Sequence, residues 1–274
     1  MKGSLTKLYK DPRVVYTLLW LSLVIPFLAP MGLPISISTR TQKAYSAISA
    51  LRSGDVIVFS VDVNAGAWGE LGAGATVLAQ HLFKTPGIKI VIVSFDQQGP
   101  LFADRILKAV NRYDKEYGKD YVLLGFVPGE KAVGGAALAN DIPKVFQKDF
   151  YGASVESLPM MKNIRSYKDI TLIVDVDWGV GTEAFLYQWV APYKSKLLAL
   201  MTNQMAPTFE PHYNAGNLVA LVVGIRGAAE YELITGIRGV GIATTDALSV
   251  SHLLVIFSIF AGNIVYFAFD KRRK

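Results

Sequence analysis

Two long uncharged apolar runs, one near each end of the chain, constrain the fold more than any other feature of the sequence. Val14–Leu33 provides 20 residues without a charged side chain, and Ala247–Phe269 provides 23. An α-helix rises about 1.5 Å per residue, so about 20 residues cross a hydrocarbon core of about 30 Å. We therefore expect transmembrane helices at 14–33 and 247–269, with residues 36–246 forming one domain between them.

The first run also has the charge pattern of a secretory signal peptide, because Lys2, Lys7 and Lys10 precede it. A signal peptide ends in a small-x-small cleavage site, whereas this run leads into the sequence MGLPISIS. That exit favours a helix that is retained as a membrane anchor.

The net charge of +6 is concentrated beside the two apolar runs. Residues 1–13 carry four basic and one acidic side chain, and so do residues 270–274, which leaves 20 basic and 20 acidic side chains between them. Basic flanks of membrane helices favour the cytoplasmic side. We therefore predict that both termini are cytoplasmic, that residues 36–246 are extracytoplasmic, and that the charge excess does not indicate a nucleic-acid partner.

The domain between the runs alternates apolar, β-branched segments with stretches of helix length. Nearly continuous apolar character is typical of parallel strands that are covered on both faces. The alternation predicts a Rossmann-like, doubly wound α/β fold with about five strands in the order 3-2-1-4-5. The predicted strands are 55–63, 88–95, 121–126, 170–176 and 196–201, and the predicted helices are 68–84, 99–117, 129–148, 182–194 and 216–235.

Residues 149–168 of the domain show neither the pattern of a β-strand nor the pattern of an α-helix. We predict that they form an irregular surface segment. It contains an apolar cluster of Leu158, Met160 and Met161. We expect this cluster to contribute to a contact between copies of the chain.

Four aspartates end the predicted strands and are the strongest candidates for chemistry. They are Asp62 on the first strand, Asp96 on the second, and Asp175 with Asp177 on the fourth. Ligands of such folds bind beyond the carboxyl ends of the strands, and converging carboxylates can hold Mg²⁺ or Ca²⁺. The alternative is that each aspartate caps the following helix or fixes a turn.

Other catalytic signatures are absent from the sequence. The glycine-rich segment NAGAWGELGAGA has neither the G-x-G-x-x-G spacing nor the G-K-[ST] ending of a phosphate loop. The chain also has no G-x-S-x-G or H-E-x-x-H motif, and no cysteine for a disulfide, a thiolate metal site or a nucleophile.

The second apolar run contains small and polar residues at helical spacing. Ser258, Gly262 and Asn263 permit close approach and hydrogen bonding between helices in a bilayer. Their partner is either the first run of the same chain or another protein chain. We expect a homo-oligomer, with other membrane proteins as further partners.

Several stretches resemble an uncharacterised family of two-span membrane proteins from bacteria and archaea, often thermophilic. The resemblance rests on KEYGKDYVLLGFVPG, DFYGASVESLPMMK, APTFEPHYNAGNLVALVVGIRGAAEYE and SVSHLLVIFSIFAGN. It extends over nearly the whole chain and implies two membrane spans around a central α/β domain. It implies no activity and no functional residues.

Three functions are compatible with these patterns. The favoured hypothesis is a membrane-anchored, non-enzymatic interaction or scaffold module that self-assembles or binds a partner through its α/β domain. The first alternative is a divalent-metal-dependent hydrolase or transferase that uses the four aspartates, and the second is a small-ligand sensor. Carboxylates that converge on an open cavity would favour the metal enzyme, whereas carboxylates turned toward backbone amides would favour the module.

Overall fold

The computed structural model describes residues 11–129 and 131–267 of the chain. These residues form two compact units. One comprises Ser36–Gly239, and the other combines the two ends of the chain, up to Ile35 and from Val240 onward. The membrane spans and cytoplasmic ends expected for the terminal segments stay predictions.

The central unit is built on six parallel strands in the order β3-β2-β1-β4-β5-β6. This confirms the predicted parallel α/β fold, and the first five strands have the predicted order. The chain order reverses between β1 and β4, which defines the switch point of the sheet. The strands are β1 (Val56–Asp62), β2 (Lys89–Ser94), β3 (Tyr121–Phe126), β4 (Leu172–Asp177), β5 (Leu197–Met201) and β6 (Ala220–Val223).

The sixth strand corrects the prediction of a single helix over residues 216–235. That stretch contains β6, which pairs with β5, and a helix begins at the next residue, Gly224. Gly224 has a positive φ of 56°, which lets the chain turn at once from strand to helix. A strand of only four apolar residues cannot be distinguished by periodicity from the apolar start of a helix.

Helices cover both faces of the sheet. They are numbered in chain order, and the terminal unit contributes α1 (Pro12–Leu28) and α11 (Gly241–Val265). A π-helical turn at Leu186–Val190 joins two short helices, Gly181–Phe185 and Ala191–Tyr193. The helices of the central unit are α2 (Thr39–Ser49), α3 (Ala65–Lys84), α4 (Gly99–Ala109), α5 (Lys131–Asn140), α6 (Ile142–Val145), α7 (Gly181–Phe185), α8 (Ala191–Tyr193), α9 (Ala206–Asn214) and α10 (Gly224–Thr235).

The strands are apolar throughout because each face of the sheet has its own core. Ile57 and Val174 belong to the core that includes residues of α2, α3 and α10, whereas Val58 and Ile173 belong to the core that includes residues of α5 and α7. Nine residues of β1, β2 and β4 are each at most 8% exposed, as expected for strands that are covered on both faces: Val56, Ile57, Val58, Ile90, Val91, Ile92, Leu172, Ile173 and Val174.

The segment 149–168 is irregular, as predicted, and forms short 3₁₀ turns at Val155–Ser157, Pro159–Lys162 and Tyr167–Asp169. Its apolar cluster, however, lies inside the domain. Leu158, Met160 and Met161 are 8%, 1% and 1% exposed and join the core on the α5 and α7 side. The expected role of these three residues in a contact between copies is therefore corrected: they cover their own sheet. An apolar residue in a sequence is expected to be buried, but the sequence does not show whether its own chain or a partner covers it.

In the terminal unit, α11 has 25 residues and is long and apolar enough to cross a membrane. Helix α1 is apolar but has only 17 residues, so it is shorter than the predicted span at 14–33. The two helices pack against each other. Asp246, near the start of α11, is fully buried and accepts hydrogen bonds from the backbone amides of Met31, Gly32 and Leu33 at 2.9, 2.8 and 3.1 Å.

The polar and small residues of α11 divide between two sides of the helix. Gly262 is buried, and Ser258 is half-buried with its hydroxyl donating to the carbonyl of Leu254 at 2.7 Å. Both lie on the side that packs within the unit, where Gly262 permits a close approach. Asn263 is exposed on another side of the helix. Ser258 and Gly262 are thus at least partly covered within the unit, whereas Asn263 is not, and the partner expected for these residues stays a prediction.

Candidate functional site at the carboxyl edge of the sheet

The carboxyl edge of the sheet gathers polar side chains at the switch between β1 and β4. Ser60 of β1 is opposite Asp175 of β4, and Asp62 is opposite Asp177. Residues opposite each other on neighbouring strands point to the same face, and residues two apart on one strand do so as well. All four side chains therefore lie on one face, and each is 0% exposed.

The side chain of Asp62 connects the end of β1 to the residues at the end of β2 and just after it. Its Oδ1 accepts hydrogen bonds from the Ser94 hydroxyl at 3.1 Å, from the Asp96 amide at 3.2 Å and from the Phe95 amide. Its Oδ2 accepts from the Ser60 hydroxyl at 2.7 Å. The carboxylate thereby satisfies backbone amides at the point where β2 ends and its neighbour no longer provides partners.

Asp177 performs the same task for the loop after β4. Its Oδ1 accepts from the Val180 amide at 2.6 Å, and its Oδ2 accepts from the Thr182 amide at 3.0 Å, in the first turn of α7. Asp177 therefore fixes both the loop and the start of the helix, which is the capping role expected as the alternative to metal binding.

Asp175 has a different environment from its neighbours. Its Oδ2 accepts from the Thr182 hydroxyl, whereas its Oδ1 is buried and has no donor among the described residues. Position 181 carries no side chain: a Cβ there would overlap Asp62 Oδ2 and lie 3.2 Å from Asp175 Oδ1. Gly181 therefore makes room for the adjacent carboxyl groups of Asp62 and Asp175.

Burial of adjacent carboxyl groups favours a bound proton. Burial, and then the charge of Asp177, raises the pKa of Asp62 to about 6. Burial, followed by the charges of Asp62 and Asp177, raises the pKa of Asp175 well above its usual range. Protonation of Asp175 would make its carboxyl group a donor toward Asp62 and would supply the hydrogen bond that Asp175 Oδ1 otherwise lacks. We call Asp62 and Asp175 the acid pair.

Asp96 lies closer to solvent and links two loops. Its Oδ1 accepts from the Gln98 amide at 2.8 Å, before α4, and its Oδ2 accepts from the Trp178 indole nitrogen at 3.0 Å. Since Trp178 follows β4, this bond connects the chain beyond β2 to the chain beyond β4.

Asp62 and Asp177 end their strands, Asp175 precedes the end of β4 by two residues, and Asp96 follows the end of β2 by two. Apart from Asp175 Oδ1, their oxygens accept hydrogen bonds from N–H and O–H donors. Metal binding requires carboxylate lone pairs that face an ion. Within residues 11–129 and 131–267, no group of three or more His, Asp or Glu side chains has an arrangement that could hold a metal ion. The Mg²⁺ or Ca²⁺ site stays a prediction, and the contacts observed favour the roles of capping and turn fixation.

An open cavity of about 660 Å³ lies at the same edge of the sheet. The sequence does not predict this cavity, because its walls come from the ends of β2 and β3, the start of α5 and the loop after β4. Aromatic residues at the ends of two neighbouring strands, Phe95 and Phe126, were the available signal. The cavity is lined by Phe95, Gln97, Phe126, Gly129, Lys131, Ala132 and Val180.

The buried aspartates hold two walls of this cavity. Phe95 donates its backbone amide to Asp62, and Val180 donates its backbone amide to Asp177. Lys131 is fixed by an ion pair of 2.6 Å with Glu183 and by a hydrogen bond of 3.3 Å to the Gly179 carbonyl. These contacts fix the positions of three residues that line the cavity.

A smaller polar cavity of about 250 Å³ lies beyond β5 and β6. Its arginines already have partners, since Arg226 pairs with the buried Glu230 at 3.1 Å and Arg40 pairs with Glu210 at 3.4 Å. Glu230 also accepts from the hydroxyls of Ser38 and Thr41. This cavity is also smaller than the usual range of small-molecule sites, about 300–1,000 Å³.

Comparisons with protein-family models, with curated proteins and with solved structures give no match to this chain. The fold and the site therefore define the protein only as an α/β protein with a Rossmann-like parallel sheet, a cavity at its carboxyl edge and one helix long enough to span a membrane. The resemblance to a two-span family stays a prediction.

The acid pair predicts an unusual dependence of stability on pH. A carboxyl group whose pKa is raised on folding stabilises the protein below its unfolded pKa of about 4, and this stability is lost as the pH rises through the folded pKa, about 6 for Asp62. Replacing Asp175 with Asn removes one acid and provides a permanent donor. The unfolding free energy of Asp175→Asn relative to wild type should rise between pH 4 and pH 8, because only the wild type must give up the proton that stabilises the buried Asp175.

Denaturant titration of the full chain at several pH values measures this difference. His81, whose pKa burial lowers to about 4, acts in the opposite direction over the same range, but it contributes equally to both proteins and cancels. The exposed Asp114→Asn is the matched control and should follow wild type at every pH. A constant difference between Asp175→Asn and wild type would contradict a shared proton.

Proposed function

We propose that this protein is a membrane-anchored binding module whose α/β domain takes a small ligand in the cavity at the carboxyl edge of the sheet. The cavity itself is the observation that carries this proposal. Its volume of about 660 Å³ lies within the usual range of small-molecule sites, about 300–1,000 Å³. Its position beyond the strand ends, near the switch point, is where ligands of open α/β sheets bind.

The lining residues support a ligand with an apolar body and one polar group. Phe95, Phe126 and Val180 supply apolar walls, while Gln97 and Lys131 supply hydrogen-bonding groups. Lys131 is half-exposed and held in place by Glu183, so it offers an oriented ammonium rather than a free charge. We therefore propose an aromatic or aliphatic compound that carries a carbonyl or a carboxylate.

Binding is favoured over metal-dependent hydrolysis by the state of the aspartates. Asp62, Asp175 and Asp177 are buried beneath the cavity walls and accept hydrogen bonds from the chain. A ligand in the cavity meets the loops that these carboxylates position. A scaffold that binds other proteins is compatible with the same domain, but the cavity favours a small molecule.

For the chain as a whole we propose two membrane spans with both termini in the cytoplasm. Helix α11 is long enough to span a membrane. Helix α1 is shorter, but it packs on α11, and Asp246 bonds the segment that follows α1 to the start of α11. The basic clusters at residues 1–13 and 270–274 support a cytoplasmic position for both ends.

Ligand binding is tested with soluble aromatic acids. We expect indole-3-acetate to show saturation transfer in NMR from the full chain in lipid nanodiscs. Phe126→Ala removes an aromatic wall and should weaken binding about tenfold. Lys131→Met should weaken binding of indole-3-acetate but not of the neutral indole-3-acetamide, because only the acid gains from the ammonium.

The control is Tyr187→Ala, which removes an aromatic ring that is 58% exposed and does not line the cavity. It should bind as wild type does. Absence of binding by a panel of small aromatic and aliphatic acids, or equal binding by wild type and Phe126→Ala, would contradict the proposal.

Topology is tested by cysteine labelling, since the natural chain has no cysteine. In right-side-out membrane vesicles, a membrane-impermeant maleimide should label Ala153→Cys, on an exposed loop of the α/β domain. It should label Ser4→Cys, in the N-terminal segment, only after the vesicles are opened. The reverse pattern would place the domain in the cytoplasm and reject this topology.

A further inference from the structure

The outward side of α11 carries a line of residues at heptad-like spacing. His252, Ile256, Ile259 and Asn263 are separated by four, three and four positions, so they share one side of the helix. All four are exposed, with Ile256 and Ile259 at 50% and 58%. We call them the outer stripe. Gly262 and Ser258 lie on the other side, where α11 packs within its unit.

Asn263 is the residue of the outer stripe whose side chain requires a hydrogen-bond partner in a bilayer. Its side-chain amide has no hydrogen-bond partner among residues 11–129 and 131–267. It lies 16 residues after Ala247, about 24 Å along an apolar run whose length matches the hydrocarbon core. Lipid tails cannot hydrogen-bond an amide, so a polar partner at the same depth stabilises this arrangement.

We propose that the outer stripe binds the outer stripe of a second copy of this chain, with Asn263 against Asn263. This inference rests on the proposed membrane placement of α11, and it is independent of the ligand. Copies of one chain insert with the same orientation, so their α11 helices run parallel. A parallel pair related by a twofold axis brings each residue to the depth of its own counterpart.

The chemistry of Asn263 suits this partner. An amide side chain is both donor and acceptor, so two asparagines related by a twofold axis satisfy each other. Ile256 and Ile259 then pack on their counterparts, and the spacing of four and three matches a left-handed pair of helices. A single polar residue in such a stripe fixes the register of the pair.

A neighbouring line on the same helix provides an internal comparison. Leu253, Phe257, Phe260 and Ile264 have the same spacing and are 62–70% exposed, with Ile264 at 65%. This line is wholly apolar, and lipid tails solvate it as well as another helix would. The outer stripe differs from it by its polar residues.

Disulfide cross-linking in native membranes tests the proposal, because the natural chain has no cysteine to compete. Ile259→Cys lies on the outer stripe, and Ile264→Cys is the matched control with similar exposure. With copper phenanthroline and oxygen as oxidant, we expect at least fivefold more covalent dimer for Ile259→Cys. Adding Asn263→Leu to Ile259→Cys should lower the association constant by about 3- to 30-fold.

Equal cross-linking at positions 259 and 264, no dimer at position 259, or a dimer unaffected by Asn263→Leu would overturn the proposal. Labelling of both cysteines by a membrane-impermeant maleimide would overturn it too, because it would place α11 in water. Asn263 does not line the cavity, so the affinity for indole-3-acetate should stay unchanged in Asn263→Leu. Failure of this pairing is thus distinguishable from failure of the proposed ligand binding.

Discussion

Hydrogen bonds from backbone amides to the buried carboxylates of Asp62 and Asp177 hold together the edge of the sheet where the cavity lies. At the switch point the chains leaving β2 and β4 diverge, so their first peptide groups lose the partners that a neighbouring strand provides. Asp62 satisfies the amides of Phe95 and Asp96, and Asp177 satisfies those of Val180 and Thr182. The same bonds place Phe95 and Val180 as cavity walls. Burying so many carboxylates in one place is unfavourable unless their charge is reduced, and a proton on the acid pair does this.

The terminal unit uses polar groups in a comparable way. Asp246 is buried and satisfies three consecutive amides beyond α1, while Gly262 permits α11 to approach its neighbour. These contacts are internal to one chain. Asn263 is left on the outside of the helix, where the proposed pairing of two copies would satisfy it. Contacts within the unit thus hold α1 against α11, and Asn263, on the outside of α11, is available for association with another chain.

Much of the fold could be predicted from the sequence because the strands are buried on both faces. Continuous apolar segments such as Ile170–Val176 predicted five strands. The alternation of strands and helices predicted a doubly wound fold, and the order expected for it is the order found. The strand β6 was missed because its four apolar residues lead directly into α10, and periodicity does not separate so short a strand from the apolar start of a helix. The aspartates were identified as candidates from their places at strand ends, but their partners are amides of Phe95, Val180 and Thr182, which sequence spacing does not reveal. The cavity was missed for the same reason, since it forms only when separate loops meet.

The most direct test of this account is to detect the proton of the acid pair. Infrared spectroscopy separates the carbonyl stretch of a protonated carboxyl group from the bands of a carboxylate. An ordinary aspartate, with a pKa of about 4, is ionised at pH 6. We predict a protonated-carboxyl band at pH 6 in the wild-type chain that is weaker in Asp175→Asn and unchanged in Asp114→Asn. Absence of that band in wild type, or a band of undiminished intensity in Asp175→Asn, would contradict the account.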